Sequence, residues 1–286
     1  MRRDTAVAGR RPAVSIVTIS AALGSAGDVV GRALAEELSY TFADREIILK
    51  AAERLGQGVA ELEQLLESRP TLRERLLETR RDYLAAVEAV IWEFAARDNV
   101  VLVGRGSTFV LQRLRHAFRV RVTAPLHVRA RRLEAERGLV PDAEEVVAKS
   151  DRDWAARIRH LYDAGLDDPL QYDLVLNTAR LNPPAAVASI RAALTAERFH
   201  ATATTLAEAR DRCLTARVHA ALLCHPRTRE LGLFFSCRDG QVSLSGRVAR
   251  DDQRRVAEEV LQALPGVDRV LSEVVVILPP SAPPGP

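Results

Sequence analysis

A glycine turn near the N-terminus is the first segment whose residue types could bind a ligand. Gly24, Ser25 and Gly27 follow an apolar, β-branched run and lead directly into a segment of helical periodicity. Such a turn binds phosphate because backbone N–H groups and a helix N-terminus face the anion, while a following lysine reaches the outer phosphates and a hydroxyl holds Mg²⁺. Here Asp28 stands at the lysine position and Val29 at the hydroxyl position. The spacing therefore fits both a phosphate-binding loop and an ordinary strand-to-helix turn.

The segment Gly104-Arg105-Gly106 also has the residue types of an anion site. It follows Val100–Val103, four apolar residues that predict a buried strand. A charge between two glycines at the end of a buried strand needs a partner, and the planar guanidinium pairs well with phosphate. We therefore expect Arg105 to have an anionic partner.

Both turns lie in a stretch where predicted strands alternate with predicted helices. Apolar runs predict strands at 13–19, 100–103, 118–124 and 172–177. Helical periodicity covers 29–38, most of 46–98, 126–137, 142–163 and 184–197. This alternation predicts a parallel α/β sheet flanked by helices, with ligands at the carboxyl ends of the strands. Gly24–Gly27, Gly104–Gly106 and Ala124–Pro125 all occupy such ends.

The last third of the chain has a different order of elements. Periodicity predicts a helix at 205–224, a strand at 231–237, a hairpin turn at Asp239-Gly240, a strand at 241–248, a helix at 251–264 and a strand at 267–277. This α-β-β-α-β order predicts a second, small α+β domain. The segment 279–286 holds five prolines in eight residues and predicts a disordered tail.

Composition excludes several classes of protein. The 286 residues are 47% hydrophobic and 28% charged, which excludes overall disorder, and no window approaches the roughly 20 apolar residues of a membrane-spanning helix. A net charge of +3 argues against a dedicated nucleic-acid surface. All but Lys50 and Lys149 of the 41 cationic side chains are arginines, which either reflects coding composition or serves phosphate and carboxylate binding.

The cysteines and the N-terminus bear on the compartment. Cys213, Cys224 and Cys237 form an odd set without a disulfide framework, and their spacing matches no zinc pattern, so we expect thiols in a reducing cytosol and no metal site. Arginines before the run at 13–19 superficially resemble a signal peptide. Because a glycine turn and a helix follow that run, a buried first strand and a cytoplasmic protein are the better interpretation.

Five segments, in order along about 180 residues, carry a family resemblance. They are Thr18-Ile19-Ser20 with Gly24-Ser25-x-Gly27; Phe42-x-Asp44-Arg45-Glu46-Ile47-Ile48; Val101-x-Val103-Gly104-Arg105-Gly106; Ala124-Pro125-Leu126-x-Val128-Arg129; and Ser150-Asp151-Arg152 with Tyr172-Asp173-Leu174-Val175-Leu176-Asn177-Thr178. Residues 14–195 thereby resemble the cytidylate kinase-like family, a branch of the P-loop nucleoside monophosphate kinases. The resemblance implies a P-loop NTPase-type sheet, ATP and Mg²⁺ as cofactors, and transfer of the γ-phosphoryl group to a pyrimidine monophosphate such as CMP.

The resemblance also implies roles for particular residues. Arg105 would contact the acceptor phosphate and act in catalysis, and Asp44 or Arg45 would line the acceptor side. Gly24, Ser25 and Gly27 would bind nucleotide phosphates. A flexible lid would supply further arginines, with Arg152 and Arg157 as catalytic candidates and Arg129 and Arg132 as nucleotide-binding candidates. For each lid arginine taken alone, a solvated charge on a helix face is the favoured interpretation over a catalytic role.

The chain departs from the family in its glycine turn. The family usually carries Gly-Ser-Gly-Gly followed by Arg or Lys, whereas this chain has Ala26 and Asp28. Two functions therefore stay open. One is a kinase of this type, and the other is a non-catalytic nucleotide- or anion-sensing scaffold that presents the second domain.

The second domain has a resemblance of its own. Its segments are Arg217-Val218-x-x-Ala221-Leu222, Asp239-Gly240-x-Val242-x-Leu244-Ser245-Gly246-x-Val248 and Pro265-Gly266-Val267-x-x-Val270. Residues 209–277 resemble the BON domain, a module often linked to phospholipid or membrane surfaces, and we favour a protein-interaction or regulatory role over a lipid tether. We expect a basic arm at 1–12, a cytidylate kinase-like domain at 13–198, a BON-like domain at 205–278 and the tail at 279–286.

Overall fold

The computed structural model describes residues 16–60 and 81–277. The predicted basic arm, the first residues of the predicted strand 13–19, the segment 61–80 of the predicted helical stretch and the proline-rich tail lie outside the described residues.

Five parallel strands form the larger sheet. They are β1 (Ile16–Ala21), β2 (Thr41–Ala43), β3 (Val100–Val103), β4 (Ala117–Thr123) and β5 (Leu174–Asn177). Their spatial order is β2-β3-β1-β4-β5, and every neighbouring pair is parallel. The predicted parallel α/β sheet is confirmed, and β2 is a strand that the periodicity did not predict.

Helices flank this sheet and continue into the second domain. They are α1 (Gly27–Leu38), α2 (Arg45–Leu55), α3 (Arg81–Arg97), α4 (Ser107–Val110), α5 (Leu126–Arg137), α6 (Ala143–Tyr162), α7 (Pro183–Leu194), α8 (Ala203–Cys224) and α9 (Asp251–Gln262). Short 3₁₀ turns occur at Pro169–Gln171 and Glu197–Phe199. None of these helices within 16–60 and 81–277 is long and apolar enough to cross a bilayer.

The two faces of the larger sheet have different cores. Helices α1 and α7 cover the face that bears Val17, Ile19 and Val103. Helices α2 and α3 cover the opposite face, which bears Ile16 and Leu102. Because side chains alternate along a strand, Thr18, Ser20, Arg119 and Arg121 lie on this second face. Throughout, we call it the α2/α3 face.

A smaller mixed sheet forms the second domain. It contains β6 (Phe234–Arg238), β7 (Gln241–Val248) and β8 (Arg269–Val276), with β6 antiparallel and β8 parallel to β7. Asp239 and Gly240 connect β6 to β7 with φ values of 47° and 77°. Positive φ at both central residues is what a two-residue hairpin of this hand requires, so the predicted hairpin is confirmed.

Helix α8 belongs to the cores of both domains. Ala209, Cys213, Ala216 and Ala220 pack into the core formed by α2 and α3. Leu214, Val218 and Leu222 pack into the core of the smaller sheet. The small residues on one side allow α8 to approach α3 closely, while the larger ones fill the second domain. The second domain therefore shares a helix with the hydrophobic core of the first.

An ion-pair cluster fastens the same junction. Glu93 of α3 accepts a hydrogen bond from Arg54 of α2 at 2.8 Å and one from Arg217 of α8 at 2.7 Å. Arg217 also donates to the carbonyl of Pro265 at 3.1 Å. Burial tends to raise the pKa of Glu93, but Arg217 and Arg54 outweigh it and lower the pKa below its usual value. One carboxylate thus joins two helices of the first domain to the second domain.

Candidate functional site

The glycine turn occupies the carboxyl end of β1, at the N-terminus of α1. Gly24 has a φ of 74°, and a Cβ there would lie 2.4 Å from the carbonyl oxygen of Arg129. A Cβ on Gly27 would lie 2.4 Å from the Cβ of Ala21, so neither position tolerates a side chain without a backbone shift. Ala26 precedes the helix with a φ of 60°, a left-handed conformation that costs an alanine about 1 kcal/mol more than a glycine. The turn is compact and tightly packed.

Arg129 holds this turn from the side of α5. Its guanidinium donates to the carbonyls of Ala124 (2.7 Å) and Leu23 (3.3 Å) and forms a bidentate pair with Asp151 at 2.9 and 2.6 Å. The residue is 6% exposed. With these partners Arg129 connects the glycine turn to α6, and most of its donors are already used within the protein.

Arg132 fixes the other side of the turn through Thr178. It donates to the hydroxyl of Thr178 at 2.9 Å and to the Thr178 carbonyl at 2.7 Å, and that hydroxyl in turn donates to the carbonyl of Ser25 at 2.8 Å. Ser25 itself is fully buried, and its hydroxyl has no hydrogen-bond partner among the described residues. Arg132 thus ties the end of β5 to the glycine turn.

Asp28 and Val29 are both exposed on the first turn of α1. Val29 is 49% exposed and carries no oxygen, so the loop supplies no hydroxyl at the position where one would hold Mg²⁺. Asp28 lies near enough to Asp44 for its charge to raise the pKa of that carboxyl. The residues present do not fit the arrangement in which a lysine and a hydroxyl grip a Mg²⁺-triphosphate.

Arg105 and Asp44 lie together at the carboxyl ends of β3 and β2. Gly104, Arg105 and Gly106 have φ values of 70°, 55° and 77°, three successive left-handed residues. The left-handed backbone at Arg105 costs about 1–2 kcal/mol for a side-chain-bearing residue. Its side chain points to Asp44, with 3.8 Å between the Arg105 Nε and the Asp44 Oδ1. The Arg105 Nε is buried and has no hydrogen-bond partner among the described residues.

Further charges surround this pair. Burial raises the pKa of Asp44, with Arg105 opposing that rise and Glu46 and Asp28 adding to it. The backbone N–H of Asp44 donates to Glu46 at 3.0 Å, a bond that lowers the pKa of Glu46. Arg32, one turn beyond Asp28 on α1, places its guanidinium 4.4 Å from the ring centroid of Phe42. The cluster therefore mixes three carboxylates with two arginines.

The remaining predicted residues lie on α2 and α6. Arg45 is the first residue of α2 and lies directly beside Asp44. Arg152 is exposed on α6 and pairs with Glu145 at 2.6 Å, whereas Arg157 is buried on the same helix. The side chain of Tyr162 at the end of α6 covers Gly106, since a Cβ there would lie 2.8 Å from the Tyr162 hydroxyl oxygen. The end of α6 thus lies over the Arg105 turn.

The structure places the predicted residues in two groups. Gly24, Ser25, Gly27, Arg129 and Arg132 form one hydrogen-bonded assembly around the glycine turn. Arg105 and Asp44 form the other group. Sequence reasoning assigned no role to Arg121, although it lies in the predicted strand at 118–124.

Family comparison accounts for the larger domain. The model of the cytidylate kinase-like family matches residues 16–180, more than half of the chain. The chain belongs to the cytidylate kinase-like family. Among curated proteins, the cytidylate kinase of Ignicoccus hospitalis is 29% identical over 181 residues, which are 62% of this chain and 98% of that protein. The cytidylate kinase of Natronomonas pharaonis is 31% identical over 184 residues, covering 63% of this chain and 90% of that protein.

Other comparisons concern the second domain and solved structures. The BON domain model matches residues 210–277 of this cytidylate kinase-like chain, as the sequence predicted. Among solved structures, shikimate kinase from Bacteroides thetaiotaomicron aligns with 64% of this chain and all of that chain, at 18% identity and a TM-score of 0.45.

Proposed function

We propose that this protein is a nucleoside monophosphate kinase that transfers the γ-phosphoryl group of ATP to a pyrimidine monophosphate such as CMP, at a rate limited by weak ATP binding. In this proposal Arg105 binds the acceptor phosphate and Asp44 orients the Arg105 guanidinium. The glycine turn faces the ATP phosphates, with Mg²⁺ accompanying ATP. The curated relatives, which are cytidylate kinases, support the pyrimidine acceptor.

The unsatisfied Nε of Arg105 is the observation that carries the proposal. A buried donor without a partner costs about 1–3 kcal/mol, more for a charged group, and a strained left-handed backbone adds to that cost. An acceptor phosphate would satisfy this donor with a charge-assisted hydrogen bond. The side chain is thus held beside Asp44 while its Nε stays available for a hydrogen bond to an acceptor phosphate.

The donor side explains the expected low rate. Asp28 places a negative charge where ATP brings several, and two unit charges 4 Å apart repel by about 1–4 kcal/mol across the dielectric range of a surface site. Arg32 does not compensate at the glycine turn, because its guanidinium packs on Phe42 and acts on the carboxyls of Asp44 and Glu46. The binding of ATP, rather than of the acceptor, is therefore the weak step.

Direct detection of the diphosphate product tests the proposal. The full chain is incubated with ATP, Mg²⁺ and each of CMP, UMP, dCMP and AMP, and products are separated chromatographically. We expect the wild type to form CDP from CMP and ATP, and we expect Arg105→Ala to form none. Arg191→Ala is the matched control, because Arg191 is an exposed arginine of α7 that pairs with Glu37 of α1. Equal product from wild type and Arg105→Ala would refute the proposal.

A second candidate function is a non-catalytic nucleotide- or anion-sensing scaffold with the BON domain as its interaction module. The exposed Asp28 and Val29 favour it, because neither residue type serves a triphosphate. The two functions differ in product formation and in ATP binding. A scaffold would bind CMP yet form no CDP at any ATP concentration, and tight ATP binding would contradict it.

A further inference from the structure

Two arginines of β4 point to the α2/α3 face, and their partners differ. Both carboxylate oxygens of Asp173 bind Arg119, accepting hydrogen bonds from its backbone N–H at 2.9 Å, from Nε at 3.1 Å and from a terminal nitrogen at 3.2 Å. Arg121 is 5% exposed but has a poorer set of partners, the hydroxyl of Ser20 at 3.1 Å and one oxygen of Asp167 at 3.2 Å. Arg119 therefore has a structural pairing, and Arg121 does not have an equivalent one.

The partner of Arg121 is itself easy to displace. The Asp167 side chain is 81% exposed, while the Arg121 side chain is 6% exposed. An exposed, hydrated carboxylate holds a buried guanidinium less firmly than a buried one would, because solvent screens its charge. The desolvation of a buried guanidinium costs more free energy than such a screened ion pair restores, which indicates that Arg121 serves a second partner.

The strand register places Arg121 opposite Arg105 across the end of β1. Ser20 pairs with Arg121 of β4, and Ile19 pairs with Val103 of β3, so that Gly104 lies level with Ser20. The backbone N–H of Gly104 donates to the Ile19 carbonyl at 2.8 Å, which fixes this alignment. At about 4.8 Å per strand, the backbones of Gly104 and Arg121 are roughly 10 Å apart with Ser20 between them.

Aromatic packing connects the two ends of this row. Tyr162 covers Gly106, Phe109 stacks on Tyr162 with 5.5 Å between ring centroids, and Phe109 meets Tyr172 edge-on at 6.3 Å. Arg121 lies near enough to Tyr172 to lower the pKa of its hydroxyl, although burial raises that pKa overall. Both arginines thus lie beside one buried aromatic cluster at this end of the sheet.

We propose that Arg121 is the second arginine of the acceptor site, and that the phosphate of the acceptor monophosphate displaces Asp167 from it. The inference deepens the proposed function and rests on it. A phosphate bound at the end of β1 would lie between these two backbones, which are about 10 Å apart. The planar guanidinium of Arg121 would donate to two phosphate oxygens at once, whereas it donates to only one oxygen of Asp167. Asp167 would hold the guanidinium until the acceptor binds.

Calorimetric titration with CMP, and with cytidine as its phosphate-free match, tests the assignment. We expect Arg121→Met to weaken CMP binding by about 10- to 100-fold, the range for a lost charge-assisted contact, and to leave cytidine binding unchanged. We expect Arg121→Lys to weaken CMP binding less, because it keeps the charge and loses the fork. Asp167→Asn removes the competing carboxylate, so it should strengthen CMP binding about threefold.

The two substitutions should change CMP affinity in opposite directions, weaker in Arg121→Met and tighter in Asp167→Asn. This opposition distinguishes a phosphate-binding role from a structural one. A purely structural pair would weaken CMP and cytidine binding alike in both variants, in step with a lower melting temperature. Asp167 is exposed, so Asp167→Asn stays informative even where Arg121→Met fails to fold. One result overturns the inference and leaves the proposed function standing: CMP binding is lost in Arg105→Ala, kept in Arg121→Met and unchanged in Asp167→Asn. No CMP binding by the wild type overturns the proposed function and the inference together.

Discussion

The ion-pair cluster at Glu93 leads to a prediction about how the two domains unfold. Glu93→Gln keeps the size of the side chain and removes its charge. The Glu93 side chain is 12% exposed, and the arginines it joins, Arg54 and Arg217, are 30% and 27% exposed. A charge-assisted hydrogen bond contributes about 1.5–3 kcal/mol, but both arginines reach water and recover part of that loss. We therefore expect a destabilisation of about 2 kcal/mol.

Differential scanning calorimetry measures this effect directly. For a chain of this size 2 kcal/mol corresponds to roughly 4–8 °C in Tm. Because α8 contributes to both hydrophobic cores, we expect one cooperative transition in the wild type and a lower Tm for both domains in Glu93→Gln. Arg212→Ala is the matched control on α8, since Arg212 is 46% exposed and lies 3.8 Å from Glu208; it should change Tm by less than about 1 °C.

The pH dependence of the Glu93 effect has a definite sign. The pKa of Glu93 is lowered in the folded state, so its contribution is present above the unfolded pKa and is lost as the pH falls through the folded one. The gap between wild type and Glu93→Gln should therefore close in acid, below about pH 4.5. Two separate transitions in the wild type, with only one of them shifted by the substitution, would refute the shared-core account.

Three further predictions concern the glycine-turn region and the thiols. Gly31→Ala should destabilise the protein by about 1–3 kcal/mol in urea unfolding, because the added Cβ would lie 2.6 Å from a methyl carbon of Val103; an unchanged midpoint would contradict this packing. Arg129→Lys should cost about 2–3 kcal/mol by the same measurement, because a lysine cannot keep the bidentate pair with Asp151, and full stability would show that the pair is not needed. Burial raises the pKa of Cys224 to about 11, so its thiol should react slowly with a disulfide reagent at pH 8 in the native protein and rapidly in denaturant; fast native labelling would contradict its burial.

The sequence predicts the larger sheet well because its strands are strongly apolar and its glycine turns mark their ends. Strand β2 escapes prediction since three residues, Thr41–Ala43, are too short to show a period of two. Helix α8 is found, yet its sharing between two cores is not, because small residues on one side and leucines on the other leave no single apolar face to identify.

The candidate site is only partly predictable for a related reason. The positions of Arg105 and Asp44 follow from strand ends, and the structure brings the two side chains together. Arg129 and Arg132 are found as candidates, but only the folded chain shows that they hold the glycine turn. Arg121 is overlooked because an alternation of arginines with valines along β4 is typical of a half-exposed strand, whereas in the folded chain Arg121 is 5% exposed.

We propose that Asp28 weakens the binding of ATP and that the acceptor side is intact. Calorimetric titration of ATP with Mg²⁺ into the wild type and Asp28→Lys tests it most directly. Replacing a repulsive charge with an attractive one is worth about 2 kcal/mol or more at this exposed position, so we expect at least about thirtyfold tighter binding in Asp28→Lys. Equal or weaker ATP binding by Asp28→Lys would contradict the account.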